Sequence, residues 1–255
     1  MPLYALGDIH GQLGQLEQAL DRIARDGGGD APVVFLGDFV DRGADSRAVI
    51  ETFLAGLAGG RDWSFVKGNH DRMFERFLTE GILSDDQIKS GKLYLHPNLG
   101  GAATLQSYFD LAGAFGIDEE TAARFGVEGV PGDILPDLIA AAREAVPESH
   151  KAFLRDLPLW LDRGPQIFVH AGIRPGLPMG YQQEDDLLWI RHEFHRDTRD
   201  HGALIVHGHT PVDWPELHLN RLNLDTGAGY GRELVPVVLD GDGIFALTAR
   251  GRARL

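Results

Sequence analysis

Cysteine is absent from the 255 residues of this chain. That one absence excludes disulfides, zinc–thiolate sites, iron–sulfur clusters and thiol nucleophiles, and it agrees with a reducing compartment. Long apolar runs are missing too, since no stretch approaches the roughly 20 residues needed to span a bilayer. The N-terminus, Met-Pro-Leu-Tyr-Ala-Leu-Gly-Asp, has neither a basic region nor an extended apolar core, so no signal peptide is expected and a cytoplasmic location is. Positive charge is scarce: 24 Lys and Arg stand against 38 Asp and Glu, a net charge of −14. Such a balance repels nucleic-acid backbones and acidic lipid surfaces at long range, so neither is an expected partner. With 43% hydrophobic residues the chain can still bury a sizeable core. No repeat or composition break divides it, and a single domain over residues 1–255 is expected.

The first 70 residues alternate in type. Leu3-Tyr4-Ala5-Leu6, Pro32 to Leu36 and Trp63 to Val66 are short apolar runs that stop at glycine, as buried strands do. Leu13, Leu16, Leu20 and Ile23 recur at helical spacing, as do Val49, Ile50, Phe53, Leu54 and Leu57 behind a capping Asp45 or Ser46. A third helix is expected from near Asp71. Strand and helix in turn mean parallel strands. Residues 75–165 read as a mostly helical insertion, strongest at Leu105 to Leu111 and Ile134 to Val146. Strands return at Gln166 to Val169, Ala203 to Val206, Leu219 to Leu224, Leu234 to Leu239 and Ile244 to Thr248.

What the chain does have is chemistry at its strand ends. The tips read Gly7-Asp8-Ile9-His10-Gly11, Gly37-Asp38-Phe39-Val40-Asp41-Arg42-Gly43 and Gly68-Asn69-His70-Asp71. Successive tips lie about one βα unit apart, and in an open parallel sheet the carboxyl ends of strands share one rim where ligands bind. Two later strands end alike, in His170-Ala171-Gly172 and His207-Gly208-His209-Thr210. A single Gly-Asp or a lone strand-end histidine is ordinarily a turn or a packed side chain. Five such tips together point to a metal site. Carboxylate, imidazole and amide donors suit Mn²⁺, Fe or Zn²⁺ rather than an all-oxygen Ca²⁺ cage, and Mn²⁺ is the expected ion.

This set resembles the calcineurin-like metallophosphoesterases, and within them the phosphoprotein-phosphatase branch, whose motifs GDxHG, GDxxDRG, GNH(E/D), H(A/G)G and a final GH stand here in order between residues 3 and about 248. The resemblance implies a four-layer α/β/β/α sandwich with a helical insertion. It implies two divalent ions, one held by Asp8, His10 and Asp38 and the other by Asp38, Asn69, His170 and His209, with Asp38 bridging. In such sites the ions lie roughly 3.5–4 Å apart and activate a bridging water that attacks phosphorus directly. His70 would then protonate the leaving group, with Asp41 fixing its tautomer and holding the ring charged. Arg42 would fork onto phosphate oxygens, joined by Arg191, with Arg174 as the weaker alternative. Pro211 stands where other branches carry a second histidine. His207 reads as packing, and His192, His195 and His201 with Arg196 and Arg199 read as a solvated loop.

The activity so implied is hydrolysis of phosphoserine or phosphothreonine, on a phosphoprotein or a small phosphorylated substrate. The alternative is a dinucleoside polyphosphate hydrolase of the symmetrical diadenosine tetraphosphate type. A phosphodiesterase ranks below both, given Pro211 in place of the second histidine and the acidic net charge, and a metal-free scaffold ranks last, since no expected ligand is missing.

Overall fold

A computed structural model describes residues 2–255. Strands β1 (Leu3–Leu6), β2 (Val33–Phe35) and β3 (Trp63–Phe65) alternate with helices α1 (Leu13–Ile23), α2 (Ser46–Ala58) and α3 (Asn69–Glu80). Five helices follow: α4 (Gly101–Tyr108), α5 (Leu111–Phe115), α6 (Glu119–Glu128), α7 (Leu135–Ala145) and α8 (Glu148–Asp156). The chain then returns to β4 (Trp160–Asp162) and β5 (Gln166–Val169), passes through α9 (Glu184–Trp189) and α10 (His192–His195), and ends in strands. These are β6 (Leu204–His207), β7 (Glu216–Leu217), β8 (Arg221–Asn223), β9 (Val237–Asp240), β10 (Gly243–Thr248) and β11 (Gly251–Arg254).

The strands form two sheets. One has the order β11-β10-β9-β1-β2-β3, the other β4-β5-β6-β8-β7. Within the first, β1, β2 and β3 are parallel, with Tyr4 opposite Val33 and Val33 opposite Trp63. Within the second, β5, β6 and β8 are parallel. Alternation along each strand sorts the side chains into layers. Ala5, Val34, Leu36 and Val66 of the first sheet face Phe168, Val206, Leu222 and Leu224 of the second, forming an apolar core between them. Tyr4, Leu6, Val33 and Phe35 point the other way, onto α1, α2 and α3. There Phe35, Phe53 and Phe65 pack with ring centroids 4.8–5.0 Å apart. On the far side Val169 and Ile205 meet Leu187 and Phe194 of α9 and α10. The result is the expected α/β/β/α layering.

Short strands and local turns account for the differences from the sequence reading. β4, β7 and β11 were not expected; each pairs antiparallel with one neighbour at a sheet edge, where patterning is weakest. Helix α3 begins at Asn69 rather than near Asp71, because the carboxylate of Asp71 accepts the Gly68 N–H and closes the first turn from within (2.9 Å). Among the described residues no helix is long and apolar enough to cross a membrane.

Candidate metal centre

The tips of β1, β2, β3, β5 and β6 meet at one rim. Asp8, His10, Asp38, Asn69, His70, His170 and His209 are all buried there. The backbone bends sharply to deliver them. Among the described residues only five non-glycine residues have positive φ, namely His10, Asp38, Asp41, Arg42 and His209, at 51–73°. Each costs roughly 1–2 kcal/mol of backbone strain, and every one belongs to the expected site. Glycines make room for the carboxylates: a Cβ on Gly68 would lie 2.2 Å from Asp38 Oδ1, and one on Gly208 2.2 Å from Asp8 Oδ1.

Asp38 lies between two clusters of ligand atoms. Its Oδ2 is 3.5 Å from His10 Nε2, and its Oδ1 is 3.5 Å from His170 Nε2. Asp8 Oδ2 stands 3.9 Å from His10 Nε2. His10, Asp38 and His70 could hold one cation, and Asp38, His170 and His209 another. His70 thus falls geometrically among the first cluster, its ring 4.7 Å from that of His10 and edge-on to it.

The proton inventory shows that these groups fit cations. His10 Nδ1–H donates to Val40 O (2.9 Å) and His170 Nδ1–H to Leu36 O (2.8 Å), which leaves both Nε2 atoms as lone pairs facing inward. Arg191 Nε–H donates to His209 Nε2 (3.0 Å), so His209 Nδ1 carries the proton that Asn69 Oδ1 accepts (3.0 Å). Asn69 Oδ1 then confronts the His170 Nε2 lone pair at 2.9 Å, two acceptors face to face. A divalent ion would satisfy the His170 Nε2 lone pair, which meets no donor among the described residues, whereas Arg42 meets that of His10.

Electrostatics agree. Burial, with Asp225 and Asp38 close by, pushes the Asp8 carboxyl well above its usual range, and burial with Asp71 does the same to Asp38. Burial and the Arg42 guanidinium hold His10 and His70 well below an ordinary histidine, and His170 falls to about 3. The site is therefore a nest of neutral imidazoles and of carboxyls raised by burial, with Arg42 offsetting only part of that rise.

Asp41 and His70 are joined as expected, with Nδ1 2.7 Å from Oδ2. The charge on the ring is not as expected. Burial raises Asp41 to about 7 while His70 is depressed, so the pair shares one proton on Nδ1 instead of forming a charged imidazolium. Arg42 donates to His10 Nε2 (2.7 Å) and His70 Nε2 (3.1 Å), while the exposed Arg191 reaches the opposite edge at His209. Arg174 is instead committed to Asp186 and Glu193 and does not join the rim. His207 is packed edge-on against Phe194 at 5.1 Å, as read. The reading of a solvated loop holds for the exposed His192, Arg196 and Arg199 but is corrected for two members: His201 lies 6.0 Å from the ring of Phe194, and His195 is half-buried against His207. Phe194, an unremarked apolar residue within the charged run, draws them in.

Four supporting residues carried no role in the sequence reading. Asp71 accepts the N–H groups of Asp38 (2.8 Å), Phe39 (2.9 Å) and Gly68, tying the β2 and β3 tips together. An acid in the first turn of a helix was the available signal. Tyr94 (2.8 Å) and Thr104 (2.6 Å) donate their hydroxyls to Asp41 Oδ1. Nothing local marks them. Asp225, pushed up to about 6 by burial, is among the charges that raise Asp8. It follows a strand and precedes Thr226-Gly227, the same pattern as the recognised tips.

Paired cation clusters at the strand ends of a two-sheet sandwich, flanked by two arginines, define a metal-dependent phosphoesterase. The chain belongs to the calcineurin-like phosphoesterase family, which matches residues 1–230. It is 26% identical over 254 residues to the asymmetrical bis(5′-nucleosyl)-tetraphosphatase PrpE of Anoxybacillus flavithermus, a match covering 90% of this chain and 86% of that protein. The PrpE of Bacillus subtilis strain 168 is 25% identical, covering 90% and 87%. Among solved structures, a candidate diadenosine tetraphosphatase superposes with a TM-score of 0.61 at 20% identity, over 96% of this chain and 92% of that one. A cold-active protein-tyrosine phosphatase of a psychrophilic Shewanella gives 0.58 at 16% identity, over 99% and 79%. Both structural likenesses establish the fold.

Proposed function

We propose that the protein hydrolyses dinucleoside tetraphosphates at a phosphoanhydride bond, by asymmetrical cleavage. The observation that carries this reading is that relatives bearing that activity in their name match nine-tenths of this chain, and that the chain retains every ligand-type side chain expected at the rim.

In this reading Asp8, His10 and Asp38 would hold one ion, and Asp38, Asn69, His170 and His209 the other, a His209 ring nitrogen being freed as Arg191 turns from it to phosphate. Two divalent ions there, Mn²⁺ being the expected ion, supply charge neutralisation and an activated water. Arg42 and Arg191 bind phosphate oxygens from opposite sides, where charge grows in the transition state. His70 would deliver to the departing oxygen a proton that Nε2 first takes up from solvent as Arg42 turns from it to phosphate, and Asp41 keeps Nδ1 protonated and the ring oriented. Tyr94 and Thr104 hold Asp41 in turn.

Hydrolysis of phosphoserine or phosphothreonine is the second reading, favoured by the ordered phosphatase-type motifs. One assay separates the two. With added Mn²⁺, diadenosine tetraphosphate, a phosphothreonine peptide and a phosphodiester are compared side by side. The first should be preferred by at least about tenfold in kcat/KM and give ATP and AMP in equal amounts. Two ADP would mean symmetrical cleavage, and preference for the peptide would install the phosphatase reading instead.

A further inference from the structure

One face of the Arg42 guanidinium is covered. Its Cζ lies 4.6 Å from the centroid of the Tyr230 ring, a stacking distance for a cation on an aromatic face. The same guanidinium reaches His10 and His70, so Tyr230 stands one side chain away from the ligand cluster. Yet Tyr230 is 61% exposed. With one face against Arg42, that exposure leaves the other face open at the rim.

The turn carrying Tyr230 is firmly set. Tyr230 N–H donates to Gly227 O and Gly231 N–H to Ala228 O, both at 2.9 Å. Gly227 and Gly231 bracket the turn at φ 81° and 79°. Between them Gly229 presses on the site itself: a Cβ there would lie 2.5 Å from His10 Cδ2 and 3.0 Å from Arg42 Cδ. The ring is therefore presented at a fixed place beside the arginine assigned to phosphate, without being used for packing on its outer side. A flat π-surface next to a phosphate clamp has the chemistry to receive a base joined to that phosphate, since base–aromatic stacking tolerates every base and is worth about tenfold or more in affinity.

We propose that Tyr230 is the stacking platform for a nucleobase of the substrate, fixing which nucleoside-linked phosphate Arg42 grips. The inference rests on the dinucleotide reading above. It makes Tyr230 a specificity residue, outside the bond-breaking step.

The test compares the parent enzyme with Tyr230→Ala, Tyr230→Phe and Tyr230→Trp on diadenosine tetraphosphate and on inorganic tripolyphosphate, which has anhydride bonds but no base. Tyr230→Ala should lower the ratio of kcat/KM for the first over the second by about tenfold or more, chiefly through KM, while Phe and Trp restore it. Inhibition by AMP should weaken in Tyr230→Ala by a similar factor, relative to inhibition by inorganic phosphate. Equal losses on both substrates would make Tyr230 a mere support for Arg42 and overturn the proposal, as would an unchanged ratio. A parent enzyme that cleaves tripolyphosphate but not diadenosine tetraphosphate would instead overturn the dinucleotide reading, and the platform with it.

Discussion

The two halves of the candidate metal centre are built differently. The first, around Asp8, His10 and the Oδ2 side of Asp38, comes from neighbouring strands of one sheet within the first 40 residues. Backbone bonds stitch it directly: the N–H groups of Ile9 (3.1 Å) and His10 (2.8 Å) both donate to Asp38 O. The second, around Asn69, His170, His209 and the Oδ1 side of Asp38, joins two sheets. Its two imidazoles reach the first sheet through His170 with Leu36 O and Asp38 Oδ1 and through the contacts with Asn69, and the His209 backbone N–H donates to Asp8 Oδ1 (3.0 Å). Local chain geometry thus makes the first half, and the apolar core between the sheets makes the second. The first should survive perturbations that dismantle the second.

Asp38→Asn attacks the one residue common to both halves and has the largest effect. Turnover should fall below detection and metal content should drop for both ions; normal activity with full metal content would remove Asp38 from the bridge. Next comes His70→Asn, which keeps the six expected ligands but removes the proposed proton donor on the first sheet's side. It should cost about 10²–10⁴-fold on an alkyl phosphate and far less on p-nitrophenyl phosphate, whose leaving group needs little protonation. Equal losses would reject the acid role.

Phe168→Ala tests the comparison itself. Phe168 is fully buried between the sheets, two residues before His170. Beyond a stability loss of about 3–5 kcal/mol, it should weaken the second ion by about 10–100-fold, a scale typical of disturbed ligand support, and spare the first. Metal titration resolving two affinities measures this, and equal weakening of both would erase the distinction between the halves.

The smallest effect is on pH dependence. His195, on the outer side of the second sheet, is lowered to about 4, chiefly by burial. The unfolded chain then takes up the proton first, near pH 6.5, so the stability that neutral His195 contributes is complete above about pH 6.5 and is lost as pH falls towards 4. Chemical denaturation of the metal-free protein should show His195→Gln with a flatter stability profile than the parent across that window. Parallel profiles would mean that His195 is not held neutral.

How much of this could be read in the sequence follows the same division. The first half was legible because its donors sit within a few residues of one another at glycine-flanked strand ends, and periodicity places those ends on one rim. His170 and His209 were legible only as members of a repeated tip pattern; that they reach Asn69 depends on how the sheets pack, which no local pattern encodes. Asp41 was assigned its partner His70 but not its protonation, since that follows from total burial and two hydroxyls more than 50 residues away. The charged run after Arg191 misled for a related reason: one buried Phe194 reorganises its neighbours, and composition gives a single apolar residue little weight.

Those two hydroxyls have an implication for anyone rebuilding this enzyme. Tyr94 and Thr104 lie in the stretch between the two sheets, the part a protein engineer would first exchange to retarget the substrate. Both donate to the Asp41 carboxylate that holds His70, the proposed leaving-group acid, so a grafted replacement must carry the pair at the same two points. A swap that ignores them would yield a catalyst with a new mouth and a misaligned proton donor.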